Sequence, residues 1–195
     1  MELCFLKMPE TSKIPKTSKT PIYQPAEDSY LLSDVLKKQI KKKNLKCLEI
    51  GIGSGIQLQT LRELGVDNKN IFGVDINKDA VFHCRNLGFN CLPSDLFNDV
   101  SGKYDLIIFN PPYLPLDKRQ EEPKSSQLAT TGGKLGSEII NKFLEQAKKH
   151  LNTNGKILLL TSSLTKGINW LDYKKKLLAK KKIFFEELYV WEVTE

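Results

Sequence analysis

The run FNPPY, ending at Tyr113, is poor in hydrogen-bond donors and rich in acceptors. Two consecutive prolines remove two backbone N–H groups and leave their carbonyls, whereas a mere strand stop would need only one. Asn110, Pro111, Pro112 and Tyr113 therefore form an acceptor-rich pocket, suited to an NH2 group whose lone pair is delocalised, such as an amide or an exocyclic base nitrogen. The Asn110 side-chain oxygen and the Pro111 carbonyl can accept its two protons, orient it and favour tetrahedral character, so that the lone pair attacks an electrophilic carbon. The same dipoles stabilise the positive charge that develops on nitrogen, while the Tyr113 ring clamps the planar group and adds a cation–π contribution. This chemistry calls for no metal and no covalent enzyme intermediate.

The electrophile is indicated by LEIGIGSG, in which Gly51, Gly53 and Gly55 alternate between a predicted strand and a predicted helix. The spacing is G-x-G-x-G, and Ile56 stands where a dinucleotide fingerprint needs Gly or Ala. Glu49, beside the turn, would repel a pyrophosphate but suits the ammonium or sulfonium of S-adenosylmethionine. Asp75, at the end of the next predicted strand, occupies the place of a ribose-binding carboxylate in open α/β sheets. Asp95, in PSDLF, is expected to accept a hydrogen bond from the adenine NH2, with the Leu96 backbone reading the ring edge. Each of these residues alone is equally a turn or capping residue; their order along the chain carries the reading.

The elements that must position them alternate. Periodicity and capping residues predict helices over 27–42, from the glycine turn to Leu64, from Asn77 to about Leu87, and over 137–151. Strands are predicted at 46–50, 70–76, 89–92, 104–109 and 156–161, with 183–193 as the last. The NTNG sequence reads as the turn between the 137–151 helix and its following strand, and the lysines of 174–182 favour helix by propensity. Strands alternating with helices imply right-handed crossovers and an open, mainly parallel α/β sheet with helices on both faces and ligands at the strand C-terminal ends. The stretch from Pro111 to Gly133 is the longest without a clear period. Residues 1–21, with TSKIPKTSKTP, have too little apolar surface to offset ordering and are expected to be a disordered tail, leaving 22–195 as a single domain.

At 195 residues and 22.2 kDa the chain is the size of one domain, without room for a separate substrate-recognition domain. No apolar run approaches the ~20 residues of a membrane span, and no secretion signal is read, so a soluble cytoplasmic protein is expected. Cys47 and Cys91 fall in predicted strands and read as small buried hydrophobes; the four cysteines include no CxxC pair, and no metal site is expected. The net charge of +7 comes largely from lysine clusters at 37–46 and 174–182. Such charge attracts nucleic acid, but the lysines lack the interleaved aromatics of a single-strand platform and read first as a solvated face.

These motifs resemble the class I methyltransferases that carry NPPY, which include N6-adenine, guanine-N2 and glutamine-amide enzymes. IYQPAEDSYLL at 22–32 looks like the opening signature of the eukaryotic and archaeal release-factor glutamine methyltransferases, and similarity continues through GVDIN, SDLF, FNPPYLP, TGGKLGSEII and FFEELYV. The resemblance implies a Rossmann-like sheet of seven strands in the order 3-2-1-4-5-7-6, with residues 173–181 as the sixth strand; the chain departs from the family pattern between Ser162 and Tyr173, where the preceding helix must be reduced. It implies cofactor contacts from Ser29, Glu49, Gly51, Gly53, Asp75, Asp95, Leu96 and Asn110, and contact between Asn110 and the glutamine of a GGQ loop in a class 1 release factor. It also implies a small zinc-binding activator subunit, which strand addition to the third strand, at the sheet edge, would accommodate through Phe89, Cys91 and Leu92. Methylation of adenine N6 in DNA or RNA is the rival activity.

Overall fold

The computed structural model describes residues 21–116 and 130–195. The expected tail, Pro21 excepted, and the DKRQEEPKSSQ part of the expected loop lie outside the described residues. Seven strands form one sheet in the order β3-β2-β1-β4-β5-β7-β6, as the resemblance implied. Strands β1 (Cys47–Ile50), β2 (Ile71–Asp75), β3 (Asn90–Pro93), β4 (Tyr104–Phe109) and β5 (Leu151–Ser162) pair in parallel. Strand β7 (Glu186–Thr194) is antiparallel to both β5 and β6 (Lys174–Ile183).

The central strands are buried on both faces, which is why CLEI and YDLIIF read as almost continuous apolar runs. The pleat sends Leu106, Ile108, Leu158 and Leu160 to one layer and Ile107, Phe109, Ile157 and Leu159 to the other. The first layer packs under α1 (Glu27–Gln39), α2 (Ile56–Glu63) and α3 (Lys78–Asn86), and the second under α4 (Glu138–Ala147). Helix α4 buries Ile140, Phe143, Leu144 and Ala147, one stripe at helical spacing. Asn77 caps α3 by accepting the Asp79 N–H at 3.0 Å, as its type predicts. The Phe143 ring lies between Phe97 and Phe109, with centroids at 5.5 and 4.5 Å, and so fixes the residue that precedes Asn110. Among the described residues no helix is long and apolar enough to cross a membrane.

Several boundaries and one turn differ from the sequence expectations. Helix α1 ends at Gln39 rather than 42, and the helix expected to reach 151 ends at Ala147, followed by a 3-10 turn over Lys148–His150. NTNG is not a turn ahead of the strand: it lies inside β5, where pairing jumps from Tyr104↔Leu151 to Leu106↔Lys156 and the surplus residues bulge out. The lysine run is strand β6, as the resemblance implied: pairing with β7, with a bulge between Leu177 and Ala179, outweighs the helix propensity of lysine. Lysine on an edge strand also blocks unwanted pairing.

The opposite edge, β3, is less open than FNCL suggested. Phe89 and Cys91 are buried in the protein's own core. Arg62 lies over the Phe89 ring at 4.5 Å, and the Arg85 side chain donates to the Cys91 carbonyl at 2.7 Å. Leu92 is the half-exposed apolar residue of the run.

Candidate active site

A cavity of about 470 Å³ opens where β1, β2, β3 and β4 end. Every candidate residue lines it: Ser29, Glu49, Gly51, Gly53, Asp75, Asp95 and Leu96 on one side, and Asn110 through Tyr113 on the other. Sequence reasoning passed over Tyr23, Asp28, Gln57, Asn77 and Ser94, which line it as well.

At the first end, the Gly51 and Ile52 N–H groups donate to the Val74 carbonyl at 2.8 and 3.2 Å, tying the glycine turn to β2. Asp75 strengthens the tie, since its carboxylate accepts the Gly53 N–H at 2.9 Å and the Asn77 N–H at 2.8 Å. Burial pushes Asp75 up from the usual carboxylate range, and the Asn77, Gly53 and Ile76 amides pull it back. A carboxylate has about four acceptor positions, so Asp75 still has capacity for a ligand hydroxyl. Gly55 adopts φ +78°, and a Cβ there would stand 2.7 Å from Cys84 Sγ, so both backbone and space require glycine. Leu96, in the left-handed region at φ 49°, is held by the Ser94 hydroxyl, which donates to its carbonyl at 2.9 Å. Asp95 is exposed.

Glu49 is the buried charge of this end. Burial pushes its carboxyl well above the ordinary range, helped by Cys84 and Asp75 nearby and opposed by a hydrogen bond from the Leu58 backbone. Among the described residues, Glu49 Oε2 has no hydrogen-bond partner. A buried acceptor left open beside a cavity is costly unless a ligand satisfies it, and a cationic ligand suits it best.

The second end is organised by Asp28, on the first turn of α1. One carboxylate oxygen accepts the Ser29 N–H at 2.6 Å and its hydroxyl at 3.1 Å. The other accepts the Tyr23 hydroxyl at 2.9 Å and the Asn110 amide nitrogen at 3.1 Å, with the Tyr113 hydroxyl at 3.5 Å. Holding the Asn110 nitrogen fixes which way the amide points, and its Oδ1 is buried and, among the described residues, without a partner. Burial first, then the negative charge of Asp28, pushes the Tyr23 and Tyr113 hydroxyls upward, so both remain donors. Asp28 was visible only as part of PAEDS, and nothing in its local sequence pointed to Asn110.

The TGGKLG segment clamps this end. The Leu114 N–H donates to Thr130 O, the Gly132 N–H to Leu114 O and the Leu116 N–H to Gly133 O, at 2.8–3.0 Å. A Cβ at Gly132 would meet the Pro112 carbonyl at 2.4 Å, so only glycine lets the two backbones approach. From the other side, the Thr165 hydroxyl donates to the Tyr113 carbonyl at 2.9 Å.

A family model described as Eco57I restriction-modification methylase matches residues 89–189, from β3 through Asn110–Tyr113 into β7. The chain is 38% identical over 181 residues to Methanocaldococcus jannaschii MJ0928, named by inference as a protein N5-glutamine methyltransferase, across 87% of this chain and 89% of that one. It belongs to the protein N5-glutamine methyltransferase family. To the Schizosaccharomyces pombe eRF1 methyltransferase catalytic subunit mtq2 this methyltransferase is 31% identical over 180 residues, 77% of each chain. Among solved structures, ribosomal protein L11 methylase from Lactobacillus delbrueckii subsp. bulgaricus superposes with a TM-score of 0.56 at 19% identity, covering 87% of this chain and 79% of that one. That likeness speaks for the Rossmann-like methyltransferase fold alone.

Proposed function

We propose that this methyltransferase transfers the methyl group of S-adenosylmethionine to the side-chain nitrogen of the GGQ glutamine in a class 1 translation release factor. The observation that carries the reading is the Asn110 amide, which lines the cavity, has its nitrogen held by Asp28 and keeps a buried Oδ1 without a partner among the described residues. An acceptor so held meets an NH2 group before reaction rather than after it, which is the source of its catalytic value. Glutamine is favoured over other NH2 groups by the family and by the eRF1 named in the mtq2 relative.

The cofactor fits the residues present, since the open Glu49 oxygen offers a counter-charge and Asp75 a ribose acceptor. S-adenosylmethionine supplies a methyl group activated by its sulfonium. Gly51 and Gly53 line the same end, Ser29 lines the cavity from the first turn of α1, and Asp95 with Leu96 would meet the adenine. Asn110 Oδ1 and the Pro111 carbonyl take the two N–H groups of the acceptor amide; Pro112 and Tyr113 hold its plane. Residues 22–195 act as a single domain for this purpose. A translation substrate implies a cytoplasmic setting.

The mtq2 relative is named a catalytic subunit, which favours a partner for this chain too. Strand addition of a small zinc-binding activator at β3 would use Leu92 and the remaining open backbone groups of the edge. A monomer fully active alone, and unaffected by Leu92→Lys, removes the requirement.

Tritium from labelled S-adenosylmethionine is expected to enter purified release factor and to be lost when its GGQ glutamine becomes alanine. The restriction-modification methylase match and the +7 charge favour a second reading, N6-adenine methylation. Stronger labelling of DNA or RNA than of release factor at matched salt would establish it.

A further inference from the structure

The β6–β7 hairpin ends in a turn that neither its geometry nor the core explains. Ile183↔Glu186 is the last pair, leaving Phe184 and Phe185 as a two-residue loop. Loops of that length favour Asn-Gly and similar pairs, because their central residues adopt positive φ. Phe184 is at φ 36°, which bulky side chains seldom take. The rings gain nothing from the fold, being 95% and 96% exposed. A local rule broken without a packing gain points to function.

The hairpin end borders the Asp28 end of the cavity. The Ser162 hydroxyl donates to the Glu186 carboxylate, and the Glu187 N–H donates to the Ser163 hydroxyl at 3.0 Å. Thr165, whose hydroxyl holds the Tyr113 carbonyl, accepts the Ser162 N–H at 3.3 Å. On the other side Lys181 pairs with Glu27, the residue before Asp28. The negative charge of Glu186 is felt at the Tyr23 and Tyr113 hydroxyls. A protein delivering a glutamine side chain to Asn110 must lie against this rim.

We propose that Phe184 and Phe185 anchor the protein substrate by entering an apolar recess of the release factor beside its acceptor loop. The proposal rests on the glutamine methyltransferase reading. Charge favours a protein over a nucleic acid here: Lys180 pairs with Glu187 at 3.3 Å, Lys181 pairs with Glu27, and Glu186 adjoins the rings. The tip thus offers a phosphate chain little net positive charge, whereas two bare rings gain from apolar burial.

The deciding variant combines Phe184→Gly with Phe185→Asn, which puts glycine at the positive-φ position and keeps the hairpin folded. KM for intact release factor is expected to rise about tenfold or more, with kcat and cofactor affinity unchanged, and calorimetric affinity for the release factor to fall in parallel. Unchanged KM and affinity overturn the docking role while leaving glutamine methylation in place. Loss of single-stranded RNA binding with an unchanged release-factor KM makes the tip a nucleic-acid contact and also overturns it. Release factor left unlabelled by the wild-type protein overturns the underlying reading, and the docking role with it.

Discussion

At the donor end of the cavity the glycine turn is tied to the strand beside it, with Asp75 reaching Gly53 across 22 positions. At the acceptor end Asp28 reaches Asn110 across 82 positions, and Tyr113 across 85. The donor end leaves a buried carboxylate oxygen open; the acceptor end uses its carboxylate to aim a neutral amide. One arrangement waits for a charge, and the other for a direction. Damage to the first should appear in cofactor affinity, and damage to the second in turnover.

The sharpest separation is expected from Asn110→Ala. On the proposed mechanism it removes an acceptor used at the reacting nitrogen, and kcat should fall by roughly 10²–10³, the effect of losing one preorganised polar group. Cofactor affinity, measured by calorimetry, should stay near the wild-type value; a large loss of affinity instead would move Asn110 into the donor end. Asp28→Asn tests the same end at one remove. It keeps the volume but offers one acceptor oxygen where the carboxylate offers two, so either the Ser29 donors or the Tyr23 and Asn110 donors lose their partner. We expect kcat to drop about tenfold, corresponding to one disturbed buried hydrogen bond, with less change in cofactor affinity. Equal turnover would show that Asn110 is aimed by packing alone.

At the donor end, Asp75→Ala should weaken S-adenosylmethionine binding about tenfold, since a hydrogen bond to a charged group contributes roughly 1.5–3 kcal/mol and part of the loss is made up by water. The Gly53 and Asn77 amides lose their acceptor in the same change. Unaltered affinity would reduce Asp75 to a strut of the glycine turn.

The contrast also explains what the sequence disclosed. The donor end was legible because its parts are local: a glycine turn after an apolar strand, then a carboxylate at the end of the next strand. The Asn110–Tyr113 run was legible as chemistry for the same reason. Asp28 was not, because its importance lies in a contact that exists only once folding brings the first turn of α1 to the residue after β4. The same holds for Gly132, whose lack of a side chain matters only once the Pro112 carbonyl lies against it. Lysines 174–182 favour helix by propensity and read as a strand only through the family resemblance, since the pairing partner that makes them a strand follows them in the chain. Phe184 and Phe185 read as strand residues, and only the register with β7 exposes them as a turn.

The smallest expected effect is a pH dependence, and it falls on the donor end alone. Glu49 is pushed well above the ordinary carboxylate range chiefly by burial. A group with a raised folded-state pKa contributes stability fully present below its unfolded value, about 4.3 for Glu, and lost as pH rises through the folded value. The ligand-free protein should therefore lose some stability over that interval as Glu49 ionises without a partner. A cationic ligand reverses the preference, because it favours the charged carboxylate. S-adenosylmethionine affinity should then rise with pH across the same interval, by at most about tenfold per pH unit for each proton released on binding. Asp75 is shifted in the same direction by burial, so the wild-type slope belongs to both groups. Glu49→Gln removes one of them: its affinity should be flatter with pH, and calorimetry in buffers of different protonation enthalpy should record fewer protons released. The same proton count in variant and wild type would mean that the open Glu49 oxygen does not face the ligand's charge.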